Sequence, residues 1–347
     1  MNSNCKRPEV TIEMASSLVE KYFNVKVTKV TEANGYDDRN FIITIEKELV
    51  NHGNQFVLKV TNPIDSADQG LIEAVTDVSL YVNHKEGIES PVPMINVNGN
   101  YVERIELESK QICAVRLMKY IDGIVLEKID YDADILYEIG SVVGRLSLIM
   151  KNYTNPILDK REMLWSLLSV DKLDEYLFAI ENDGHRLLVH NIIEKFKEIV
   201  INKVSTLRKS IIHGDVNEQN VLVKKEDGKW TFSGLLDFGD SHSDPTIFDL
   251  AIACCYMTLD SRVIDPIMVP KYVIYGYLSV EKITQQEWDI LPICVMARLS
   301  QSLTLGAYNH LKDPNNEYLL KTGKRGWTIL EQLNSVGVDQ LKILWQI

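Results

Sequence analysis

The chain has 347 residues, 45% hydrophobic and 25% charged, with a formal net charge of -12. Single cores stop growing near ~250–300 residues, so we expect two lobes. The acidic balance argues against nucleic acid or an anionic membrane as a partner. The first ten residues lack an apolar segment and the five cysteines show no Cys-x-x-Cys spacing. We therefore expect a cytoplasmic protein without disulfides or a zinc site.

The first third of the chain has the pattern of helices and short strands. A helix is predicted first, then three strands rich in β-branched residues, a second helix with one apolar stripe, and two more strands. The predicted helices are residues 10–23 and 69–84, and the strands are 25–30, 40–46, 55–60, 101–105 and 112–117. Together the strands predict a five-stranded antiparallel sheet.

From residue 130 onwards, apolar residues recur at helical intervals. Amphipathic helices are predicted from residue 130 and over residues 163–180 and 191–207, and further helices over residues 248–259 and 291–309. Residues 323–347 close the chain. Residues 118–123 are polar, contain a glycine and separate the strand-rich from the helix-rich sequence, so they predict a hinge between lobes of residues 1–117 and 124–347. The best apolar run, residues 247–259, is interrupted by Asp249 and is too short to span a membrane.

Residues 211–240 carry the strongest functional pattern. Their apolar start leads into His-Gly-Asp at 213–215, and a second apolar run ends at Asp-Phe-Gly-Asp, residues 237–240. We predict a hairpin that presents acids at its ends. Phosphoryl transfer from a nucleotide needs an acid near the attacking hydroxyl and oxygen ligands for Mg²⁺. Three side chains supply that set: Asp215, Asn220 and Asp237.

This order and spacing resemble the protein-kinase-like fold, where a catalytic-loop Asp and Asn precede a metal-binding Asp-Phe-Gly. His-Gly-Asp in place of His-Arg-Asp is the variant of the aminoglycoside and choline phosphotransferase family. The resemblance implies an α+β, two-lobed fold with a small antiparallel sheet lobe carrying a helix and a large, mainly helical lobe. It also implies a small-molecule kinase that uses Mg²⁺ and a nucleoside triphosphate.

Other segments resemble the hydroxylysine kinases, a group within that family. These segments are residues 36–41, 115–117, 136–140, 235–240, 300–303, 307–308 and 324–327. The resemblance covers about residues 10 to 345. It implies transfer of the γ-phosphate of GTP, with ATP as the alternative donor, to the side-chain hydroxyl of free 5-hydroxylysine.

Catalytic and metal roles can be carried over residue by residue. Asp215 would orient or deprotonate the acceptor hydroxyl, while Asn220 and Asp237 would hold Mg²⁺. His213 would fix the loop by packing and hydrogen bonding. Asp249 resembles the structural Asp that supports the catalytic loop, with simple helix capping as the alternative.

The nucleotide-binding roles fall in the first lobe and the hinge. Lys59 would pair with the α- and β-phosphates, and Glu73 is its expected ion-pair partner, although Glu73 lies opposite the apolar stripe of its helix and also fits a solvated face. Met118 and Tyr120 would contact the base. A Gly-x-Gly-x-x-Gly loop is missing, because only Gly35 stands at this position.

The acceptor pocket should offer acids and one fixed cation, because hydroxylysine has two ammonium groups and a carboxylate. Asp240 and Asp244 are predicted to meet an ammonium. Arg298 is predicted to bind the carboxylate, with a structural ion pair as the alternative, and Trp165 either lines the pocket or belongs to the core. Residues 241–245 resemble the general phosphotransferase pattern more than the aromatic-rich segment of hydroxylysine kinases.

Two other functions fit the same residues. One is a kinase of another amino alcohol or an aminoglycoside, with choline, ethanolamine and homoserine as acceptors. The other is a pseudokinase that binds nucleotide without turnover. The sequence carries no indication of the oligomeric state.

Overall fold

The computed structural model describes residues 7–33, 35, 37–49, 53–314 and 322–346. Cys5 and Tyr36 lie outside the described residues. The chain divides into two compact units, Met1–Asp122 and Gly123–Ile347. This division falls within the segment predicted to be a hinge.

The first unit contains the predicted antiparallel sheet. Its strands are β1 Val27–Ala33, β2 Arg39–Leu49, β3 Gly53–Val60, β4 Glu103–Glu106 and β5 Ile112–Lys119, and its helices are α1 Ile12–Phe23, α2 Pro63–Ala67 and α3 Gln69–Val82. The five strands are ordered β1-β2-β3-β5-β4. Alternate side chains of β2 and β3, Phe41 and Ile43 with Phe56 and Leu58, are fully buried, as the two-residue period of a strand requires. The short helix α2 was not predicted, because five residues show no helical period.

The second unit is mainly helical, and with the sheet unit it confirms the predicted α+β class. Its α-helices are α4 Ala133–Met150, α5 Asp183–Ile199, α6 Ile247–Asp260, α7 Val269–Leu278, α8 Gln285–Lys312, α9 Gly323–Val336 and α10 Val338–Trp345. The predicted helix at residues 163–180 is wrong as an α-helix, because Leu167–Ala179 forms 3-10 turns. The last two helices, α9 and α10, are separated at Gly337, whose φ is 81°.

Helices α4 and α7 approach closely because both carry a glycine at their contact. A Cβ atom on Gly140 would lie 1.8 Å from the carbonyl oxygen of Val273, and one on Gly276 would lie 1.8 Å from that of Tyr137. Helix α7 was not predicted. Its Gly276 disfavours a helix in isolation, and packing against α4 outweighs that preference.

Helix α8 is longer at both ends than the predicted helix at residues 291–309. Thr284 caps it and forms a reciprocal capping box with Glu287. Among the described residues, α8 is the helix whose length and apolar composition would allow it to cross a membrane. In the structure, 94% of that apolar window is buried, so the core of the second unit accounts for its composition. The helix carries Arg298 towards the loop described below.

Short strands position the predicted functional segment. They are β6 Ile124–Val125, β7 Lys209–Ile212, β8 Val221–Glu226, β9 Lys229–Leu235 and β10 His242–Pro245. The hairpin consists of β8 and β9, whose turn residues Asp227 and Gly228 have φ values of 49° and 84°. Strand β7 pairs with β10, so the apolar start of residues 211–240 is not part of the hairpin, which corrects the prediction.

Candidate active site

Two backbone N–H groups of the loop after β7 are held by one carboxylate. The N–H groups of His213 and Gly214 donate to Oδ2 and Oδ1 of Asp249, each at 2.8 Å. Asp249 lies in the first turn of α6, and burial raises the pKa of its carboxyl group. Gly214 has a φ of 81°, and a Cβ atom there would lie 2.8 Å from the carbonyl oxygen of Asp240. The loop therefore requires both the acid and the glycine.

His213 links the loop to the end of the hairpin. Its Nε2 lies 2.9 Å from the carbonyl oxygen of Leu236, and its Nδ1 accepts a hydrogen bond from the N–H of Asp215 at 3.2 Å. These partners assign the proton to Nε2. Because both ring nitrogens bind the backbone, His213 fixes the loop and is not placed to exchange a proton with an acceptor.

Asp215 receives hydrogen bonds on both carboxylate oxygens. Arg298 Nη2 lies 3.2 Å from its Oδ1, and the side-chain amides of Asn217 and Asn220 donate to its Oδ2 at 2.8 and 3.0 Å. Burial raises the pKa of Asp215, the Arg298 charge opposes this, and the Asp237 charge adds to it. The side chain is thus oriented by fixed donors and has a proton affinity above that of an ordinary aspartate, as a proton acceptor needs.

Asn217 is a member of the site that the sequence analysis missed. Its Oδ1 accepts from the N–H groups of Gln219 and Asn220, each at 2.9 Å, while its Nδ2 donates to Asp215. An Asn two residues after the acid, at the start of a turn, was the available signal. The residue turns the chain so that Asn220 returns to the same carboxylate.

Asn220 and Asp237 fit a divalent metal ion. The Asn220 side-chain N–H₂ donates to the backbone and side-chain oxygens of Asp215 at 2.9 and 3.0 Å, which directs its Oδ1 away from that acid. Asp237 follows β9, has a φ of 56° and is exposed. The β8–β9 register places Val221 opposite Leu235, so both residues lie at the same end of the hairpin. Carboxylate and amide oxygens are the ligands Mg²⁺ prefers.

Arg298 is part of the support of Asp215. Its Nη1 donates to the carbonyl oxygen of Trp165 at 2.7 Å and to Gln301 Oε1 at 3.0 Å, and its guanidinium lies over the rings of Trp165 and Tyr256. The side chain is only 1% exposed. The predicted role as a ligand of a substrate carboxylate is wrong, because the guanidinium is buried and donates its hydrogen bonds to groups of the protein. The structural ion pair, with Asp215, is the alternative that the structure shows.

Asp244 is not placed to meet a substrate ammonium. It is 2% exposed and accepts from Ser166 Oγ at 2.7 Å and from His242 Nε2 at 2.8 Å. His242 Nδ1 faces the carbonyl oxygen of Asp240 at 2.7 Å. Burial lowers the pKa of His242, but Asp244 and Asp240 together raise it by more, since acceptors at both nitrogens stabilise the imidazolium. The prediction for Asp244 is therefore wrong, because a buried ion pair takes up its charge.

Asp240 remains a possible partner of a cation. Burial raises its pKa to about 6, the Asp215 charge adds to this shift, and the Arg161 charge opposes it. Asp215, Asp237 and Asp240 thus form a group of acids that interact electrostatically. Such a group favours a cation from the substrate or the metal.

Asp240→Asn is expected to stabilise the protein without nucleotide and metal at about pH 8, by about 1–3 kcal/mol. The folded-state pKa lies above the ordinary value of 3.8, so wild-type stability falls as pH rises from about 4 to about 6. The gain should become small near pH 4, where the carboxyl group is neutral in the folded state and partly protonated in the unfolded state. Urea unfolding of both proteins from about pH 4 to about pH 8 measures it.

The matched control for this experiment is Asp171→Asn, which changes an exposed acid. It should leave the pH profile of the wild type unchanged. An Asp240→Asn protein less stable than the wild type at about pH 8 would contradict the expectation.

In the first unit, Lys59 and Glu73 have different partners. Lys59 Nζ lies 3.1 Å from Asp38 Oδ2, and Asp38 also accepts from the N–H of Asn62 at 2.8 Å. Both oxygens of Glu73 bind Arg104, at 2.7 and 3.1 Å. The expected Lys59–Glu73 pair is therefore wrong: Glu73 lies on a half-exposed face of α3, where Arg104 of β4 meets it.

Met118 and Tyr120 lie at the end of the sheet. Met118 belongs to β5 and forms an isolated bridge with Pro93. The N–H of Tyr120 donates to the carbonyl oxygen of Gln55 at 3.3 Å. Contact of either residue with a nucleotide base stays a prediction, and the Tyr120 N–H already has a partner.

The fold has two units, and Asp215 lies on a loop beside Asn220 and Asp237. This arrangement is that of the small-molecule kinases. The sequence model of the phosphotransferase enzyme family matches residues 30–269. The hydroxylysine kinase of Xenopus laevis is 31% identical, over 99% of this chain and 94% of that protein. The chain belongs to this phosphotransferase family, and it is a kinase that acts on an alcohol group.

Two solved structures share the fold. A microcompartment-associated aminopropanol kinase has a TM-score of 0.74 at 15% identity, covering 94% of this chain and 99% of that one. The amicoumacin kinase hAmiN, in complex with AMP-PNP, Ca²⁺ and Ami, has a TM-score of 0.68 at 18% identity, with coverages of 93% and 97%. At these identities the structures establish the fold alone.

Proposed function

We propose that the protein transfers the γ-phosphate of a nucleoside triphosphate, GTP in the first place, to the C5 hydroxyl of free 5-hydroxylysine, with Mg²⁺ as the metal. The observation that carries the proposal is the similarity to hydroxylysine kinase over 99% of the chain. Asp215, Asn220 and Asp237 are all present, and Asp215 is held in place by hydrogen bonds. This supports turnover over the pseudokinase alternative, because a protein that only binds nucleotide does not need an oriented proton acceptor.

In this reaction, Asp215 orients the acceptor hydroxyl and takes its proton as the bond to phosphorus forms. Arg298, Asn217 and Asn220 hold the carboxylate in place, so no reorganisation is needed at the moment of transfer. Mg²⁺, when held by Asn220 and Asp237, neutralises charge on the phosphates. Lys59, buried on β3 and ion-paired with Asp38, is the proposed phosphate ligand of the first unit.

The acceptor chemistry fits the acids beside Asp215. In 5-hydroxylysine, the hydroxyl on C5 and the ammonium on C6 are on neighbouring carbons. An acid that accepts the hydroxyl proton therefore needs a second acid close by for the ammonium. Asp240 satisfies this requirement, because it is near enough to Asp215 for the Asp215 charge to raise its pKa.

An acceptor panel tests the proposal. Purified protein, Mg²⁺ and labelled GTP or ATP are incubated with 5-hydroxylysine, ethanolamine, choline, homoserine, aminopropanol and an aminoglycoside. We expect the highest kcat/KM for 5-hydroxylysine and loss of transfer when Mg²⁺ is chelated. Rapid transfer to another acceptor, with none to 5-hydroxylysine, would replace the proposed substrate with that acceptor.

A further inference from the structure

The buried position of Arg298 leaves the carboxylate of an amino-acid substrate without its predicted ligand. An amino acid differs from the simple amino alcohols by that group, so a kinase that selects hydroxylysine needs a cation for it. The cation must lie near Asp240, the proposed partner of the ammonium, and must have donors that the protein does not use. Arg161 meets these conditions.

Arg161 is anchored beside the metal-ligand turn. It follows the 3-10 turn Leu158–Lys160, and its Nη1 donates to the carbonyl oxygens of Gly239 at 2.6 Å and Ser241 at 2.9 Å. These carbonyls flank Asp240, and the Arg161 charge opposes the rise that burial causes in the Asp240 pKa. One nitrogen of the guanidinium is thereby fixed against the turn that follows Asp237.

The other side of the guanidinium is available. Within the described part of the chain, Nε and Nη2 of Arg161 form no hydrogen bond, and neither is among the buried nitrogens that lack a partner. Arg298 differs in this respect, because its Nε is buried. Nε and Nη2 form the planar edge of a guanidinium that binds a carboxylate with two parallel hydrogen bonds. Fixing Nη1 orients that edge before a ligand arrives, which lowers the entropy cost of binding.

We propose that Arg161 binds the α-carboxylate of the acceptor and so selects amino acids over amino alcohols; this inference rests on the proposed function. Asp215, Asp240 and Arg161 then meet the hydroxyl, the neighbouring ammonium and the carboxylate. In an extended substrate with bonds of ~1.5 Å, carbons C1 and C5 are separated by about 5 Å.

The test compares 5-hydroxylysine with 1,5-diaminopentan-2-ol, which is the same molecule without its carboxylate. Arg161→Met is expected to lower kcat/KM for 5-hydroxylysine by about 10- to 100-fold, mainly through KM, as loss of a charged hydrogen-bonding group does. Its kcat/KM for the diamine should equal that of the wild type. Arg161→Lys keeps a donor for the two carbonyls and should lose less with 5-hydroxylysine and nothing with the diamine.

Arg186→Met is the matched control, because Arg186 is also half-buried in the second unit and also donates to a backbone carbonyl, that of Ile180, at 2.6 Å. It should leave both substrates unaffected. Equal losses with both substrates in Arg161→Met would overturn the proposal, since they would show that Arg161 only supports the turn. An unchanged kcat/KM for 5-hydroxylysine would also overturn it.

The failure of the proposed function has a different signature. The wild type would then phosphorylate another acceptor in preference to 5-hydroxylysine. If that acceptor carries a carboxylate, as homoserine does, a KM effect of Arg161→Met on it would still support the carboxylate site. If the preferred acceptor has no carboxylate, the inference about Arg161 is overturned together with the substrate.

Discussion

Asp215→Asn is expected to lower kcat by about 10³-fold or more, because an amide cannot take the hydroxyl proton and carries no charge to orient the acceptor. Nucleotide binding should survive, since the predicted phosphate and metal ligands are unchanged. The fold should also survive, because Arg298 keeps its bonds to the carbonyl oxygens of Gly214 and Trp165 and to Gln301. Single-turnover kinetics, together with the thermal shift produced by Mg²⁺ and nucleotide, measure the two effects separately.

The matched control for this prediction is Asp244→Asn, another change to a buried acid of the second unit. Asp244 binds Ser166 and His242, so this variant should lose stability while retaining kcat within a few-fold. Equal activity in the wild type and in Asp215→Asn would show that the measured transfer comes from a contaminating kinase. The nucleotide-binding pseudokinase would then be the better description.

The local sequence was sufficient to predict that Asp215 and Asn220 lie together and that Asn220 and Asp237 flank the hairpin. Asp215 and Asn220 are separated by five positions, and a turn plus a strand start place them together without help from distant residues. The same reasoning recovered the sheet of the first unit, because strands of alternating apolar residues bury one face each. It missed Asn217, which the turn requires, because an Asn in a polar loop has many uses.

The partners that orient the loop come from distant parts of the chain and could not be predicted from spacing. Arg298 reaches Asp215 across 83 positions, and Arg161 reaches Gly239 across 78. An Arg in an apolar helix predicts a charged partner but does not identify it. Glu73 shows the same limit, because the sequence offered Lys59 as its partner and the fold provided Arg104 on the neighbouring strand β4 instead.

Arg298→Met tests how much the site depends on its buried ion pair. Methionine keeps the length of the side chain but leaves Asp215 with only amide donors. Removing one partner of a buried pair typically costs about 3 kcal/mol or more, and we expect a loss of this order at about pH 8. The Asp215 pKa should rise further, so the folded variant binds a proton that the unfolded chain does not. Its stability deficit should therefore shrink as the pH is lowered.

The catalytic activity of Arg298→Met should also be lower than that of the wild type. With Asp215 less often ionised and less well held, kcat is expected to fall by about 10- to 100-fold at neutral pH, and the acid limb of the kcat profile should move to higher pH. Urea unfolding at about pH 5 and about pH 8 and a kcat profile over the same range provide the measurements. In the double variant with Asp215→Asn, the stability cost of Arg298→Met should be smaller, because no carboxylate is left unpaired. If the stability costs of the two substitutions simply added in the double variant, or if the pH profile were unchanged, Arg298 would support the packing of its helix and not Asp215.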